Sequence, residues 1–318
     1  MRNPLSRRNR GAAGEPWWRK LTEPDLLRAE PDTPEALAGA LREFARREVG
    51  LVVIDGGDGT VREVLSALPQ AYGDAPPAIA ILAQGATNLI AADVGAGRSD
   101  PALLARLTGL ARTGVPPACL ARRRVLEVSW PDGSRAPVAG MFLGAGAYTR
   151  GIELSFRLVR RGCVDEGAGV AATLLACVGR TLVGPQRRRW LDGDPITTAP
   201  DGGVAIEGPR FLVLATTLEK LMMGLWPFWG EGQGREGEGG LHYLDIDAPP
   251  RRLASALPLV MYGRPRPWMA GAGYRSGVSA ALDLTLTEPF VLDGEHFHPG
   301  PGRSVRVRAG RSLDFVVP

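Results

Sequence analysis

The string Asp55-Gly56-Gly57-Asp58-Gly59-Thr60 follows directly on the apolar run Leu51-Val52-Val53-Ile54 and precedes helical periodicity from about Thr60 to Leu68. A short, uninterrupted apolar run suits a strand covered on both faces. Upstream, Thr33-Pro34-Glu35 opens a helix, with an N-cap residue type, a proline suited to the first turn and an acid behind it. Leu37, Leu41, Phe44 and Ala45 continue that helix at the right spacing, and Gly50 ends the segment. Downstream, Ala78-Ile79-Ala80-Ile81-Leu82 forms a second buried strand. Strand, helix, strand of this kind dictates a parallel sheet with right-handed crossovers. The glycine string is therefore predicted at the carboxyl end of a parallel strand, where open sheets of this type bind ligands.

The residue types in the string say which ligand. Glycines permit positive φ and let backbone N–H groups approach an anion without Cβ obstruction. A helix starting near Thr60 adds partial positive charge, so the turn suits phosphate oxygens, and Thr60 offers a hydroxyl. Asp58 repels phosphates unless Mg²⁺ lies between them or its carboxylate takes a proton from an attacking hydroxyl. The second strand ends in Ala83-Gln84-Gly85-Ala86-Thr87-Asn88. This small-residue turn is placed to face the same crevice, with Thr87 and Asn88 as hydrogen-bonding groups. Taken alone, Asn88 is an N-cap for the next helix.

From about Arg122 the pattern changes to short alternating stretches: Val125–Trp130, Phe211–Ala215, Leu282–Leu286 and Val305–Val307. Pro-Asp-Gly, Asp-Gly-Gly and Gly-Pro turns separate them, which predicts an antiparallel, β-rich second domain. The division is thus 1–120 and 121–318, as expected for 318 residues. One helix, roughly Ala168–Leu182, interrupts the second domain, and the glycine- and glutamate-rich Gly230–Gly240 is a predicted mobile loop. Late in the chain stands Asp293-Gly294-Glu295, two carboxylates about a glycine in a tight turn; such charges repel unless a cation or a substrate proton sits between them. His296 and His298 follow, but the chain's third histidine, His242, completes no ligand set.

The formal net charge is +4, and nearly all the positive charge is arginine, since Lys20 and Lys220 are the only lysines. Arginine clusters at Arg122–Arg124 and Arg187–Arg189 suit anionic partners, but no nucleic-acid-binding signature accompanies them, so nucleic acid is not a predicted partner. Three cysteines without paired spacing exclude a zinc or disulfide framework. With no apolar signal segment and no stretch long enough to span a bilayer, a cytoplasmic protein with peripheral contact at the inner membrane face is expected. The oligomeric state stays open, a dimer included.

In their order along the chain, these motifs resemble the diacylglycerol kinase catalytic-domain family, which includes bacterial lipid kinases and sphingosine kinases. Its signature, Gly-Gly-Asp-Gly-Thr with an acid three residues on, matches Gly56–Thr60 and Glu63. Its second loop, roughly Pro-x-Gly-Thr-x-Asn-Asp, matches at Gly85 and Asn88, with Thr87 standing for the displaced threonine. Asp293–Glu295 matches its late motif, and Asn3-Pro4-Leu5-Ser6 looks like its first nucleotide-binding turn. The resemblance implies an N-terminal α/β domain and a C-terminal β-sandwich that enclose ATP·Mg²⁺, and a lipid or lipid-like acceptor. It implies that Gly56, Gly57, Gly59 and Thr60 cradle phosphates, with Asn3, Pro4, Asp58, Glu63, Gly85, Thr87 and Asn88 completing the nucleotide site. It also implies that Asp293 and Glu295 work as general base and near the metal, with Asp58 the remaining carboxylate for either role.

Ala83, Ala86 and Leu89 depart from the second-loop pattern, and Gly239-Gly240-Leu241 lacks the aspartate of the structural metal site found in bacterial members. The family also has a strand before its first turn, whereas Met1 falls almost on that turn, so a start further upstream is expected. Rival readings are an NAD-kinase-like enzyme with a soluble acceptor and a non-catalytic nucleotide-binding module. The apolar, aromatic segment Leu221–Trp229 suits either a lipid entrance or core packing.

Overall fold

The computed structural model describes residues 1–3, 6, 26–85, 87–96, 101–160, 179, 187–230 and 240–317. They form two units, Met1–Val125 with Arg311–Pro318, and Leu126–Gly310.

In the first unit, Thr33 caps helix α1 (Pro34–Arg46): its Oγ1 accepts a hydrogen bond from Ala36 N at 3.1 Å. Leu37, Leu41 and Phe44 form the buried stripe of α1, as their spacing requires. Strand β1 (Leu51–Gly56), helix α2 (Asp58–Tyr72) and strand β2 (Ala78–Ala83) follow. The two strands pair in parallel, from Leu51 opposite Ala78 to Gly56 opposite Ala83. Met1–Asn3 runs along the other edge of β1: Asp55 N donates to Met1 O at 2.8 Å and Asn3 N donates to Asp55 O at 3.0 Å. Near the chain's end, Phe315 lies parallel beside Ile79. Helices α3 (Leu89–Asp93) and α4 (Pro101–Thr113) complete the unit, and Leu107 of α4 packs against Ala80, Leu82 and Val316. The expected helix at Thr60–Leu68 begins two residues earlier and runs to Tyr72. The glycine string therefore comprises the last two residues of β1, the N-cap Gly57 and the first three residues of α2.

The second unit is antiparallel throughout its described strand pairs. In chain order it contains β3 (Leu120–Ser129), in which the division between units falls, β4 (Val138–Gly140), β5 (Phe142–Gly146), α5 (Ala147–Arg160), α6 (Arg187–Leu191), β6 (Asp194–Pro200), β7 (Pro209–Thr216) and β8 (Leu241–Asp247). Then come α7 (Leu253–Met261), α8 (Pro267–Gly271), β9 (Tyr274–Ser279), β10 (Ala281–Leu286), β11 (Phe290–Leu292), β12 (Glu295–Phe297) and β13 (Ser304–Val316), which crosses back into the first unit. One run of neighbours is β9-β8-β7-β5-β11-β12 and another is β6-β10-β13, joined at one end where Asp194 and Pro195 of β6 pair with Arg210 and Pro209 of β7. Both feed one apolar cluster, including Leu143, Val213 and Phe290 from the first run and Ile196, Leu284 and Val305 from the second. Two antiparallel faces sharing a core is the arrangement of a sandwich. The four alternating stretches read from the sequence lie in β3, β7, β10 and β13. Except at Gly179, Gly230 and Gly240, the expected helix at Ala168–Leu182 and the expected loop at Gly230–Gly240 lie outside the described residues.

Candidate functional site

The carboxyl ends of β1 and β2 lie side by side, and Gln84 N donates to Gly56 O at 3.0 Å. One residue further on, the two glycine turns touch. A Cβ placed on Gly57 would come within 2.8 Å of Gly85 Cα, and one on Gly85 within 2.7 Å of Gly57 Cα. The reason for glycine at position 57 is therefore space and not backbone sign, because its φ of −97° is open to any residue. Gly56 makes a similar approach, since a Cβ there would meet the Thr60 side chain at 2.6 Å. Thr60 is buried, and Asn3 Nδ2 donates to its Oγ1 at 2.8 Å, so the opening turn and the glycine turn are tied together. Asp58 and Gly59 open α2, whose first-turn amides face the end of β1 as helix geometry requires.

The Asp58 carboxylate is buried and points at the second loop. Oδ2 accepts from Thr87 Oγ1 at 2.8 Å and from Leu89 N at 3.0 Å, and Oδ1 accepts from Ile90 N at 3.1 Å. These are the amides at the start of α3, which Asn88 occupies the position to cap but does not. Asn88 sits at φ 50° and folds its side chain back on the loop, its Oδ1 accepting from Gly85 N at 2.7 Å and its Nδ2 donating to Gly85 O at 2.9 Å. The cap of α3 thus comes from a residue some thirty positions earlier, and Asp58 fastens one glycine turn to the other.

Burial raises the Asp58 pKa above the ordinary carboxylate value, opposed by the hydrogen bonds from Leu89, Ile90 and Thr87. A raised pKa means that the folded protein binds this proton more tightly than the unfolded chain. The contribution is full below the unfolded value of about 3.9 and is lost as pH rises through the raised folded value. Asp58→Asn places an NH₂ among N–H donors and is expected to cost about 1–3 kcal/mol of stability. The gap from wild type should be widest at low pH and narrow as pH rises above about 4, as urea midpoints across that range would measure.

A pocket of about 130 Å³ is lined by Asn3, Thr60 and Glu63 together with Asp32, Thr33 and Leu37. It gathers three of the sequence-predicted nucleotide contacts. Asp32 and Thr33 carry no motif beyond a helix cap, so nothing in the sequence marked them as lining residues. Glu63 is half exposed, with Oε1 3.6 Å from an Arg62 guanidinium nitrogen. Pro4 lies outside the described residues.

In the second unit, Asp293 and Gly294 join β11 to β12 as a two-residue hairpin, with Leu292 opposite Glu295. Both turn residues have positive φ, 48° and 85°, which the tight primed hairpin turns demand and which Asp-Gly supplies at low cost. The two carboxylates have different surroundings. Asp293 is buried: its Oδ1 accepts from Phe142 N at 2.9 Å, and its Oδ2 accepts from Met141 N at 3.0 Å. Its own N–H donates to Phe142 O at 2.9 Å. Gly140 leaves room for this, since a Cβ there would come within 2.5 Å of Asp293 Oδ2. Glu295, by contrast, is exposed. The backbone amides that receive Asp293 carry no sequence signal, because they lie about 150 residues upstream. Behind the hairpin, Trp130 packs on Phe290 and Phe297 at centroid distances of 6.2 and 6.3 Å and donates its Nε1–H to His298 O at 2.9 Å.

Residues 19–114 match the model of the diacylglycerol kinase catalytic domain, the phosphotransferase family to which the sequence motifs pointed. No curated protein matches the chain by sequence. Among solved structures, a diacylglycerol kinase from Bacillus anthracis str. Sterne is similar at 15% identity and TM-score 0.53, over 92% of this chain and 85% of that one. A second structure from the same organism, provisionally described as a diacylglycerol kinase, gives 16% identity and TM-score 0.56 over 92% and 86%. At such identities the likeness concerns the fold, which is the two-part fold expected from the sequence.

Proposed function

We propose that this chain is an ATP-dependent lipid kinase that transfers the γ-phosphoryl group to a hydroxyl of a diacylglycerol-like acceptor. The observation that carries the reading is the contact of Gly57 with Gly85, which brings two glycine turns together at the ends of adjacent parallel strands beside the start of α2. A phosphate chain needs this kind of surface: backbone amides, no Cβ, and a helix N-terminus. Thr60 and Asn3 line the adjoining pocket.

Among the described residues no three carboxylates, histidines or cysteines form a metal-binding group. Mg²⁺ would arrive on the nucleotide, since this ion is commonly held by phosphate oxygens and one or two carboxylates. When bound, it neutralises charge on the phosphoryl group in transfer. Asp58, with both oxygens accepting hydrogen bonds from the second loop, is assigned bracing rather than metal ligation. Asp293, held by two backbone amides, is assigned the positioning of its hairpin. Glu295, the exposed carboxylate of the late motif, is assigned the general base. It removes the acceptor's proton as the acceptor oxygen bonds to the γ-phosphorus and the bond to the β–γ bridging oxygen breaks, releasing ADP. Alignment of acceptor and phosphorus provides most of the rate.

ATP consumption measured against diacylglycerol, sphingosine, ceramide and NAD tests the reading. Turnover with a lipid acceptor is expected. Turnover with NAD alone would sink the lipid assignment, and tight ATP binding without turnover on any acceptor would leave a nucleotide-binding module.

A further inference from the structure

Helix α7 (Leu253–Met261) carries no charged residue, yet only Ala256 and Val260 face inward. Ala254 and Pro258 are exposed, and Leu253, Leu257, Leu259 and Met261 are partly so. The apolar segment Leu221–Trp229 lies along the end of this helix. Trp226 N donates to Met261 O at 2.9 Å, and a Cβ on Gly263 would come within 2.4 Å of Phe228 O and 2.7 Å of Trp226 O. The rings of Trp226, Phe228 and His242 pack on one another beneath, with centroids 5.1–5.9 Å apart. Outward from that base stand Met223, 61% exposed, and Tyr262, 52% exposed. Among the described residues only Val204 is another large apolar side chain so open to solvent, so exposed apolar surface concentrates here.

The rim is cationic. Lys220, Arg251, Arg252, Arg264 and Arg266 are all exposed, against the single carboxylate of Glu219 in these stretches. The Arg252 guanidinium lies over the Trp268 ring, 5.4 Å from its centroid. An uncharged helix bracketed by pairs of arginines, beside tryptophan, tyrosine and methionine, matches a surface with a hydrocarbon interior and an anionic face.

We infer that α7, Tyr262 and Leu221–Trp229 form a docking surface for an anionic lipid bilayer. Met223, Leu257 and Tyr262 enter the acyl boundary, and the flanking arginines meet the headgroup phosphates. A neutral protein groove would account for the apolar residues but not for five cations around them. The inference deepens the lipid-kinase reading, on which its purpose rests, by bringing the enzyme to an acceptor that resides in the membrane.

Co-sedimentation of the full chain with phosphatidylcholine vesicles, with and without phosphatidylglycerol, at low and high salt, tests it. Wild type is expected to bind the anionic vesicles and to release them as salt rises. Arg264→Gln with Arg266→Gln should weaken partitioning by about fivefold per arginine, or roughly thirtyfold together. Met223→Asp with Tyr262→Asp should remove binding while melting at the wild-type temperature and phosphorylating a short-chain, water-soluble acceptor at the wild-type rate. Wild type left in the supernatant, or variants that bind as wild type does, would overturn the surface. So would vesicle-independent self-association lost in the same variants, which would mark a protein interface instead. Vesicle binding without phosphoryl transfer to any acceptor would sink the kinase reading alone.

Discussion

Glu295→Gln is expected to lower turnover by about 10²–10⁴-fold, the usual contribution of a general base, with ATP affinity and thermal stability close to wild type. The expectation rests on the contrast within the late hairpin. Glu295 is exposed, so the isosteric amide has room there. Asp293→Asn should behave differently, because Met141 N and Phe142 N donate to its two oxygens. An asparagine can accept with one oxygen only and turns an NH₂ toward the remaining donor, at a cost of about 1–3 kcal/mol. Loss of activity in this variant should therefore come with a lowered melting temperature. Single-turnover kinetics and calorimetry on the two proteins separate the roles. Wild-type turnover in Glu295→Gln would return the base to Asp293 or Asp58.

The second large effect is expected at the contact between the glycine turns. Gly57→Val should lower ATP affinity by at least about a hundredfold, the loss of roughly 3 kcal/mol that overpacking a tight contact can impose. The side chain would have to occupy the space of Gly85 Cα, so one turn must move away from the other and the anion surface comes apart. Gly85→Val, made from the opposite side, should give the same phenotype. Because backbone conformation is not the obstacle at Gly57, Gly57→Ala should already impair binding, by less than valine. Isothermal titration with ATP·Mg²⁺ measures all three. Unchanged affinity in Gly57→Val would place the phosphates elsewhere.

How legible the site was depends on the range of the interactions that build it. The α1 cap by Thr33, the buried stripe of Leu37, Leu41 and Phe44, and the order strand, helix, strand around Asp55–Thr60 all depend on neighbours within a few residues. Periodicity and capping chemistry record such relations directly. The same holds for Asp293-Gly294, whose residue types announce a tight hairpin before any partner is known. The match of residues 19–114 to the kinase catalytic domain covers α1 and the strand, helix, strand segment, but not the late hairpin.

The destinations of the charges were not legible. From sequence, Asp58 was a carboxylate beside phosphates and called for a cation or a proton; in the fold, its charge is met by the amides of Leu89 and Ile90 and the Thr87 hydroxyl. Asp293 posed the same question and finds amides of Met141 and Phe142. From sequence, glycine at 57 serves positive φ and the approach of an anion, whereas in the fold the close approach of Gly85 requires it. A sequence states which groups need partners, because polarity and conformational preference belong to the residue itself. Which amide arrives to satisfy a buried carboxylate, and which Cα fills the space beside a glycine, depends on chain closure over tens to hundreds of residues, and only the tertiary packing decides that.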